Sequence, residues 1–285
     1  MQTIPAFSPK VPPVKFLISR GAKIRYSDSG KGRVIVLVHG FLESLEVWYG
    51  NGFAQELAKK FRVVAMDLPG HGKSECLGYV QKMERMADVV KDVMDHLGLR
   101  RYILVGHSMG GYVSLAFAEK YPDNLRGLCL FHSTSLPDSE EKKLDRERAI
   151  RIVKRSPAKY TNQLVVNLFA LANVRYFRAE INWLRRMAAK TKKQAIVACL
   201  EGMKTRPGRE MILRFAHFPV MIIGGERDNV IPFSSLHDQV AHTEDGRFLA
   251  LERTGHMGFI EAKKITLKKL SAFCRHSYRK KISGS

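Results

Sequence analysis

The stretch that most limits the possible folds of this chain is residues 101–118, RYILVGHSMGGYVSLAFA. It begins with a short apolar and β-branched run, residues 102–105, which predicts a buried strand. A glycine-rich turn follows, and residues 113–117 then supply a small apolar face typical of a helix that lies against a sheet. We therefore expect a strand, a tight turn and a helix, with Ser108 at the apex of the turn.

A serine between a strand and a helix must adopt a strained backbone conformation. Gly106 and Gly110, two residues before and two after Ser108, remove the side chains that would clash there. The turn would present the Ser108 hydroxyl at the carboxyl edge of the sheet. It would also place the N–H of Met109 at a helix N-terminus, where negative charge is favoured. The alternative is a glycine-rich turn that holds an inert serine, because Gly-x-Ser-x-Gly also arises by chance.

Strands and helices alternate along most of the chain. This order predicts an α/β fold with a doubly wound, mainly parallel sheet, whose binding crevice lies off the carboxyl ends of the strands. After an extended arm at 1–13, we predict strands at 14–19, 22–27, 33–38, 61–66, 102–105, 125–131, 220–223 and 247–251. We predict helices from about 48 to 60, at 81–97 and at 262–274, and a frayed basic tail at 275–285.

The alternation stops after residue 134. Residues 139–214 show helical patterns without a convincing strand, in a block that is too long for a loop. We therefore predict a core domain of residues 1–134 and 215–285, with a helical lid of residues 135–214 inserted into it. Residues 139–214 carry 19 Lys and Arg against seven Asp and Glu. A solvated helix face is the alternative explanation for this excess of positive charge.

The whole 285-residue chain has a formal net charge of +21 and a pI near 10.0. A net positive charge of this size says more about binding partners than about the fold. It would attract an acidic carrier protein, an anionic surface, a negatively charged substrate or nucleic acid. No nucleic-acid-binding motif accompanies the charge, so we expect no specific nucleic-acid partner. We see no signal-like segment and no membrane span, which favours a cytoplasmic location. The four scattered cysteines indicate reduced packing residues and no structural zinc.

Two later residues could complete a catalytic site with Ser108. A serine nucleophile needs a histidine base, and the base needs an acid that orients it. Asp228 and His256 each follow a later predicted strand, so both would reach the sheet edge that holds the serine, in the expected chain order. Two alternatives remain for the acid: Glu226 could replace Asp228, and Asp228 could instead cap a helix. His132, at the end of a predicted strand, is the main rival base.

Backbone donors and a substrate pocket would accompany these side chains. The N–H groups of Met109 and Phe41 could together bind a tetrahedral oxyanion, since Gly40 permits a sharp bend before Phe41. For the insertion side chains among the pocket residues, packing against the sheet is an equally good explanation. We expect the pocket to be lined by His39, His107, His132, Phe169, Trp183 and Met257.

Five motifs together resemble the α/β-hydrolase superfamily, in its branch of serine esterases, lipases and carbon–carbon-bond hydrolases. The resemblance implies an eight-stranded sheet with a helical lid after the sixth strand. It also implies that His256 takes the Ser108 proton, that an acyl-enzyme forms, and that no metal or organic cofactor is needed. Dehalogenase and epoxide-hydrolase relatives carry aspartate at the nucleophile, so Ser108 argues against both. The motifs are HGFLES (39–44), DLPGHGKS (67–74), GHSMGG (106–111), GERDNVIP (225–232) and GHM (255–257).

The sequence thus predicts a hydrolase of carboxylic esters or thioesters with small to medium acyl groups. One alternative is a carbon–carbon-bond hydrolase, and another is an esterase for methyl esters linked to an acidic acyl carrier protein; a purely binding role is a third. The acyl group, the leaving group and the oligomeric state stay open. A carrier would dock on insertion cations, namely Arg146, Arg151, Arg155, Arg185, Arg186, Lys192 and Lys193.

Overall fold

A computed structural model describes residues 10–241 and 243–280. One eight-stranded sheet runs through it in the order β1-β2-β4-β3-β5-β6-β7-β8. Strand β2 is antiparallel to both of its neighbours, and every other adjacent pair is parallel. The predicted α/β fold class is therefore confirmed. The strands are β1 (Val14–Ser19), β2 (Ala22–Ser29), β3 (Val34–Val38), β4 (Arg62–Met66), β5 (Tyr102–His107), β6 (Leu125–Phe131), β7 (Val220–Gly225) and β8 (Gly246–Leu251).

Helices cover both faces of this sheet, and β3, β5 and β7 are accordingly buried along their whole length. Within the described residues, none of the helices combines the length and the apolar character needed to cross a bilayer. The helices are α1 (Glu46–Tyr49), α2 (Phe53–Ala58), α3 (Met83–His96), α4 (Met109–Lys120), α5 (Glu140–Arg155), α6 (Pro157–Asn167), α7 (Arg178–Ala188), α8 (Lys193–Lys204), α9 (Glu210–Arg214), α10 (Ser234–Ala241), α11 (Gly258–Glu261) and α12 (Lys263–Arg279).

Helices α5 to α9 lie between β6 and β7, within the segment 135–214 that we call the insertion. Helix α5 packs on α6 and α8, and α6 packs on α7. The insertion does not carry all of its positive charge on the outside, since Arg206 and Arg209 are buried. Arg209 pairs with Glu119 at 2.9 Å and with Glu84 at 2.5 Å, both of which belong to the core helices.

Two predicted elements differ from the structure. The single helix expected from about 48 to 60 is broken into α1 and α2, because Gly52 takes a left-handed conformation with φ of 77°. The Asn51 side chain fixes this break by donating to the Phe259 carbonyl at 2.6 Å. The prediction of a frayed tail was wrong for residues 275–279, which continue α12. The Tyr278 hydroxyl in this part of the helix accepts the Val34 N–H and donates to the Val34 carbonyl. Residues 281–285 and 1–9 of the predicted tail and arm lie outside the described residues.

Asp67, directly after β4, ties together the loops that border Ser108. Its fully buried carboxylate accepts hydrogen bonds from the Leu45 N–H at 2.7 Å and the Lys73 N–H at 2.8 Å. The Arg25 guanidinium lies 3.3 Å from the same carboxylate and 3.0 Å from that of Glu46. Because Leu45 follows β3 and Lys73 follows β4, one carboxylate fixes the loops after two neighbouring strands.

We predict that Asp67→Ala lowers the free energy of unfolding by about 3–5 kcal/mol, because it leaves a buried arginine with one partner fewer and two N–H groups with none. Urea unfolding measures this loss. Asp95→Ala is the control, since Asp95 forms an exposed pair with Lys91 whose removal costs under about 1 kcal/mol. Equal losses in the two variants would contradict the anchoring role of Asp67.

Candidate active site

Ser108 lies between β5 and α4 in a strained backbone conformation, with φ of 50° and ψ of −117°. Such a conformation costs a non-glycine residue about 1–3 kcal/mol and persists only where the surroundings impose it. At the positions of the neighbouring Gly106 and Gly110 there is no space for a side chain. A Cβ on Gly106 would lie 2.3 Å from the Gly110 oxygen, and a Cβ on Gly110 would lie 2.3 Å from the Val38 oxygen.

Strand β6 and the residues after it hold this turn in place. The Ser108 N–H donates to the Phe131 carbonyl at 2.9 Å. The Ser108 carbonyl accepts from the Ser133 hydroxyl and from the Gly111 N–H, both at 2.8 Å. Because both backbone polar groups of Ser108 are fixed, the hydroxyl has a defined position at the carboxyl edge of the sheet.

Asp228, in the loop after β7, holds two imidazole rings with one oxygen. Its Oδ2 lies 2.8 Å from Nδ1 of His256 and 3.0 Å from Nδ1 of His132. Its Oδ1 accepts from the N–H groups of Val230 and Ile231 at 2.8 and 3.1 Å. Burial disfavours the charged carboxylate, yet the charge of His256 and the hydrogen bonds of both rings hold the pKa of Asp228 well below its usual value.

The sequence offered two other interpretations of the acid. Glu226 is exposed to solvent, whereas Asp228 contacts both rings. Asp228 does accept backbone N–H groups of its own turn, as the capping alternative required, but only with Oδ1. The two oxygens therefore have separate tasks, and Oδ2 remains for the histidines.

His256 has one ring nitrogen without a partner. Its Nε2 is buried and makes no hydrogen bond to any described residue, including the Ser108 hydroxyl. His256 and Ser108 line the same cavity. The His256 N–H donates to the Leu168 carbonyl at 2.7 Å, which joins this loop to the insertion. Hydrogen bonds between a serine and its base are often long before substrate binds, so this arrangement suits a base that faces the serine.

His132, the rival base, has both ring nitrogens engaged. Its Nδ1 contacts Asp228, and its Nε2 accepts the Gly258 N–H at 3.1 Å. This pairing requires the proton on Nδ1. Burial is the main cause that lowers the pKa of His132 to about 4, against the attraction of Asp228, so the ring is neutral near pH 7. A neutral ring with no free lone pair can position Asp228 but cannot receive the serine proton.

His132, Asp228 and His256 also form the one group of potential metal ligands with suitable spacing in the described part of the chain, with ligand atoms within 4.8 Å of one another. Both Nδ1 atoms already lie at hydrogen-bond distance from the same carboxylate oxygen. Hydrogen bonding is therefore sufficient to explain the close approach of these three side chains.

A second buried acid and histidine pair lies beside the serine. Glu43 Oε2 is 3.0 Å from Nδ1 of His107 and accepts the Gly40 N–H at 2.6 Å, while Nε2 of His107 is 3.0 Å from the His256 carbonyl. Both His107 nitrogens face acceptors, so the ring needs two protons. Burial opposes this charge, but Glu43 raises the pKa of His107, and His107 in turn lowers the pKa of Glu43 against its own burial.

The expected oxyanion donors are close in sequence to the two members of this pair. Phe41 follows Gly40 in the loop that Glu43 holds, and Met109 is the first residue of α4. Among the described residues, neither N–H has a hydrogen-bond acceptor in the protein. Two unpaired N–H groups near Ser108 are suited to a developing negative charge.

A cavity of about 260 Å³ opens between the sheet edge and the insertion. Ser108, His256 and Phe41 line its core side. Much of the rest of the wall is apolar, but α5 contributes charged side chains. The insertion residues in the lining include Lys142, Asp145, Arg146, Ala149, Tyr160, Leu164, Asn167, Leu168, Leu200 and Met203.

Of the six predicted pocket side chains, His107 lines this cavity and the other five do not. The His39 ring is used elsewhere, since its Nε2 accepts the Leu68 N–H at 2.9 Å. His132 lies behind Asp228, as described above. The remaining three, Phe169, Trp183 and Met257, are buried.

The sequence analysis missed the face of α5 that lines the cavity. Lys142, Asp145, Arg146 and Ala149 follow the spacing of one helix face, which is a signal that can be found in a sequence. Because three of the four are charged, this pattern is typical of a solvated face.

Arg146 was predicted as a carrier-docking cation, and this was wrong: its side chain is 12% exposed and pairs with Asp138.

Comparisons with known proteins agree with this fold. Residues 33–263 match the sequence profile of the family described as alpha/beta hydrolase fold. A thermophilic esterase from Thermogutta terrifontis, solved with malate bound, superposes with a TM-score of 0.87 at 28% identity, covering 93% of this chain and 99% of that one.

Two curated relatives match over most of the chain. The acetyltransferase component of the acetoin cleaving system from Pseudomonas putida is 28% identical over 90% of this chain and 67% of its own length. The pimeloyl-[acyl-carrier protein] methyl ester esterase of Nitrosomonas europaea is 25% identical over 84% of this chain and 94% of its own length. Several other curated relatives are matched over only about a third of their length.

We predict that Glu43→Gln reduces stability most between about pH 4.5 and 6.5. His107 has a folded pKa above 6.5, so its contribution is complete below 6.5 and is lost as the pH rises through the raised value. Glu43 has a folded pKa below 4.5, so its contribution is complete above 4.5 and is lost as the pH falls through the lowered value. Urea unfolding across this range should show a loss of about 1.5–3 kcal/mol that shrinks on both sides.

Glu56→Gln is the control for this series, because Glu56 forms an exposed pair with Lys59 and contacts no histidine. Its effect should be small and should show no window that closes above pH 6.5. A loss in Glu43→Gln that stays constant from pH 4 to 9 would show that the pair is not ionic.

Proposed function

This chain is a hydrolase of the α/β-hydrolase family, and from that premise we propose that it cleaves carboxylic esters or thioesters through Ser108 and an acyl-enzyme. One observation carries the proposal: the strained Ser108 and the unpartnered Nε2 of His256 face one cavity, while Asp228 holds the opposite nitrogen of that ring. The esterases among the relatives and solved structures support the same reaction class.

The proposed reaction has two halves. Nε2 of His256 takes the Ser108 proton as the oxygen attacks the acyl carbon, and the tetrahedral oxyanion accepts hydrogen bonds from the N–H groups of Phe41 and Met109. His256 then gives its proton to the leaving group, which departs and leaves the acyl-enzyme. A water molecule repeats the sequence and releases the acid.

The other buried groups have supporting tasks in this scheme. Asp228 keeps the proton of neutral His256 on Nδ1 and stabilises the imidazolium that forms during each transfer. His132 keeps Asp228 in position through a second N–H donor. Cationic His107 donates to the His256 carbonyl through Nε2. Through Nδ1 it also holds Glu43, which accepts the Gly40 N–H in the loop that carries the Phe41 N–H.

A methyl ester on an acidic carrier protein is the second candidate substrate. The similarity to a pimeloyl-[acyl-carrier protein] methyl ester esterase over 94% of that relative favours it. Exposed cations of the insertion also favour it, because they would attract an acidic carrier before the ester enters the cavity. They are Arg151, Arg155, Arg186, Lys192 and Lys193. A carbon–carbon-bond hydrolase would use the same three side chains.

We predict that Ser108→Ala lowers kcat/KM for 4-nitrophenyl butyrate by at least about 10³-fold, since it removes the attacking oxygen. Circular dichroism should show an intact fold, and a fluorophosphonate should label the wild-type protein but not the variant. Ser235→Ala, at a partly exposed serine of α10 that does not line the cavity, is the control and should keep full activity. Turnover that survives in Ser108→Ala would refute the proposal.

His256→Asn and His132→Asn distinguish the two histidines as bases. We predict a loss of about 10³-fold or more in His256→Asn, because among the described residues no other free ring nitrogen lines the cavity of the serine. His132→Asn keeps a donor for Asp228 and loses an acceptor for the Gly258 N–H, so its loss of kcat should be at least about tenfold smaller. The reverse order of losses in ester hydrolysis would identify His132 as the base.

A further inference from the structure

Two basic side chains of α5, Lys142 and Arg146, enter the wall of the cavity that Ser108 lines. They are four residues apart, and so they lie on the same face of the helix. Around them the insertion contributes mainly apolar groups, such as Leu164 and Leu200. Charge at the apolar end of a small cavity is costly unless it has a partner, so each of the two cations needs an explanation.

Arg146 is fully engaged within the protein. It pairs with Asp138 through Nε and Nη2, and its Nη1 lies 3.6 Å from the Met203 sulfur. Asp138 also binds Arg206, whose Nη1 is 2.7 Å away. Arg206 in turn lies over the ring of Tyr112, a lining residue, with its guanidinium carbon 3.8 Å from the ring centroid. One buried carboxylate therefore serves two arginines, which leaves an excess of positive charge.

Lys142 has no such partner. Among the described residues, its ammonium makes no ion pair and no hydrogen bond, although the residue is half-buried. Asp145 also lines the cavity, but it is exposed and pairs with the exposed Arg148 at 2.9 Å. Burial, and then the nearby charge of Arg146, lower the pKa of Lys142, against the opposing attraction of Asp138 and Asp145.

The acid at the opposite end of the cavity cannot neutralise Lys142. Glu43 is paired with the cationic His107 and with the Gly40 N–H. The cavity thus has a reacting end with its charges balanced, and an insertion end where Lys142 is the one lining cation without a direct partner among the described residues. An anion of a single charge is the chemical complement of Lys142, and it must be small, because the cavity holds about 260 Å³.

We propose that the ester cleaved at Ser108 carries a second, anionic group, a carboxylate on its acyl chain, which Lys142 binds at the insertion end of the cavity. The natural substrates would then be monoesters of short dicarboxylic acids. A carboxylate fits better than a phosphate, because one unpaired ammonium in a largely apolar wall matches a single negative charge. This inference rests on the proposed esterase function, since it takes the ester carbonyl to lie at Ser108.

Paired substrates test the inference directly. Monomethyl glutarate and methyl valerate have acyl chains of similar length, and only the first ends in a carboxylate; released methanol measures the turnover of both. We expect the wild-type protein to prefer the acidic ester in kcat/KM. Lys142→Gln should reduce this preference by about tenfold to a hundredfold, mainly through KM, because one charge-assisted contact is lost.

Lys143→Gln is the matched control on the same helix turn. Lys143 pairs with Glu140 and does not line the cavity, so its removal changes the net charge of α5 equally and should keep the preference. A preference that falls to the same extent in both variants would indicate a general electrostatic effect. A preference that is absent in the wild-type protein, or that persists in Lys142→Gln, would overturn the inference.

Binding without chemistry separates this inference from the proposed function. Calorimetry on Ser108→Ala should show that monomethyl glutarate binds more tightly than methyl valerate, and that adding Lys142→Gln removes the difference. If Ser108→Ala keeps its turnover, the esterase mechanism fails, whatever this binding result is. Suppose instead that Ser108 is needed for turnover, but that the difference in affinity between the two ligands is the same in Ser108→Ala with and without Lys142→Gln. In that case only the carboxylate site fails.

Discussion

The strained backbone of Ser108 is the constraint around which the rest of this structure is arranged. Its φ of 50° and ψ of −117° are unfavourable for an isolated serine, and the sheet holds them by hydrogen bonds to Phe131 and Ser133 on the neighbouring β6 segment. The close approach of Gly110 to the Val38 carbonyl allows no side chain at that position. The position of the serine hydroxyl is therefore fixed by three adjacent parallel strands, β3, β5 and β6, and not by the turn alone.

The acids around this turn are buried with the partners that keep them ionised. Asp228 has two imidazoles and two backbone donors, and Glu43 has His107 and a backbone donor. Asp228 holds His256 at Nδ1, and His107, the partner of Glu43, holds the His256 carbonyl, while the His256 N–H donates to the Leu168 carbonyl. The one polar atom of His256 that has no partner among the described residues is Nε2, so the arrangement leaves one free ring nitrogen on a residue that lines the same cavity as Ser108.

The basic composition of the insertion has more than one structural meaning. Arg146, Arg206 and Arg209 are used inside the protein, with acids of the insertion and of the core as partners. Arg151 and Arg155 are exposed, where they remain available to an acidic partner. Lys142 belongs to neither group, because it lines the cavity and has no direct partner among the described residues. A count of charges along the chain cannot separate these three situations, although their consequences for binding differ.

The sequence by itself determined the alternation of strands and helices, the turn at Ser108, and the chain order of the serine, the acid and the histidine, because these depend on local patterns and on parallel strands ending at one edge. The break of α1 from α2 at Gly52 and the length of α12 were not predicted, since contacts of Asn51 and Tyr278 with distant backbone fix them. Only the tertiary structure decided which side chains face the cavity. Periodicity tells which residues share a helix face, but packing between distant segments decides whether that face meets solvent, core or substrate.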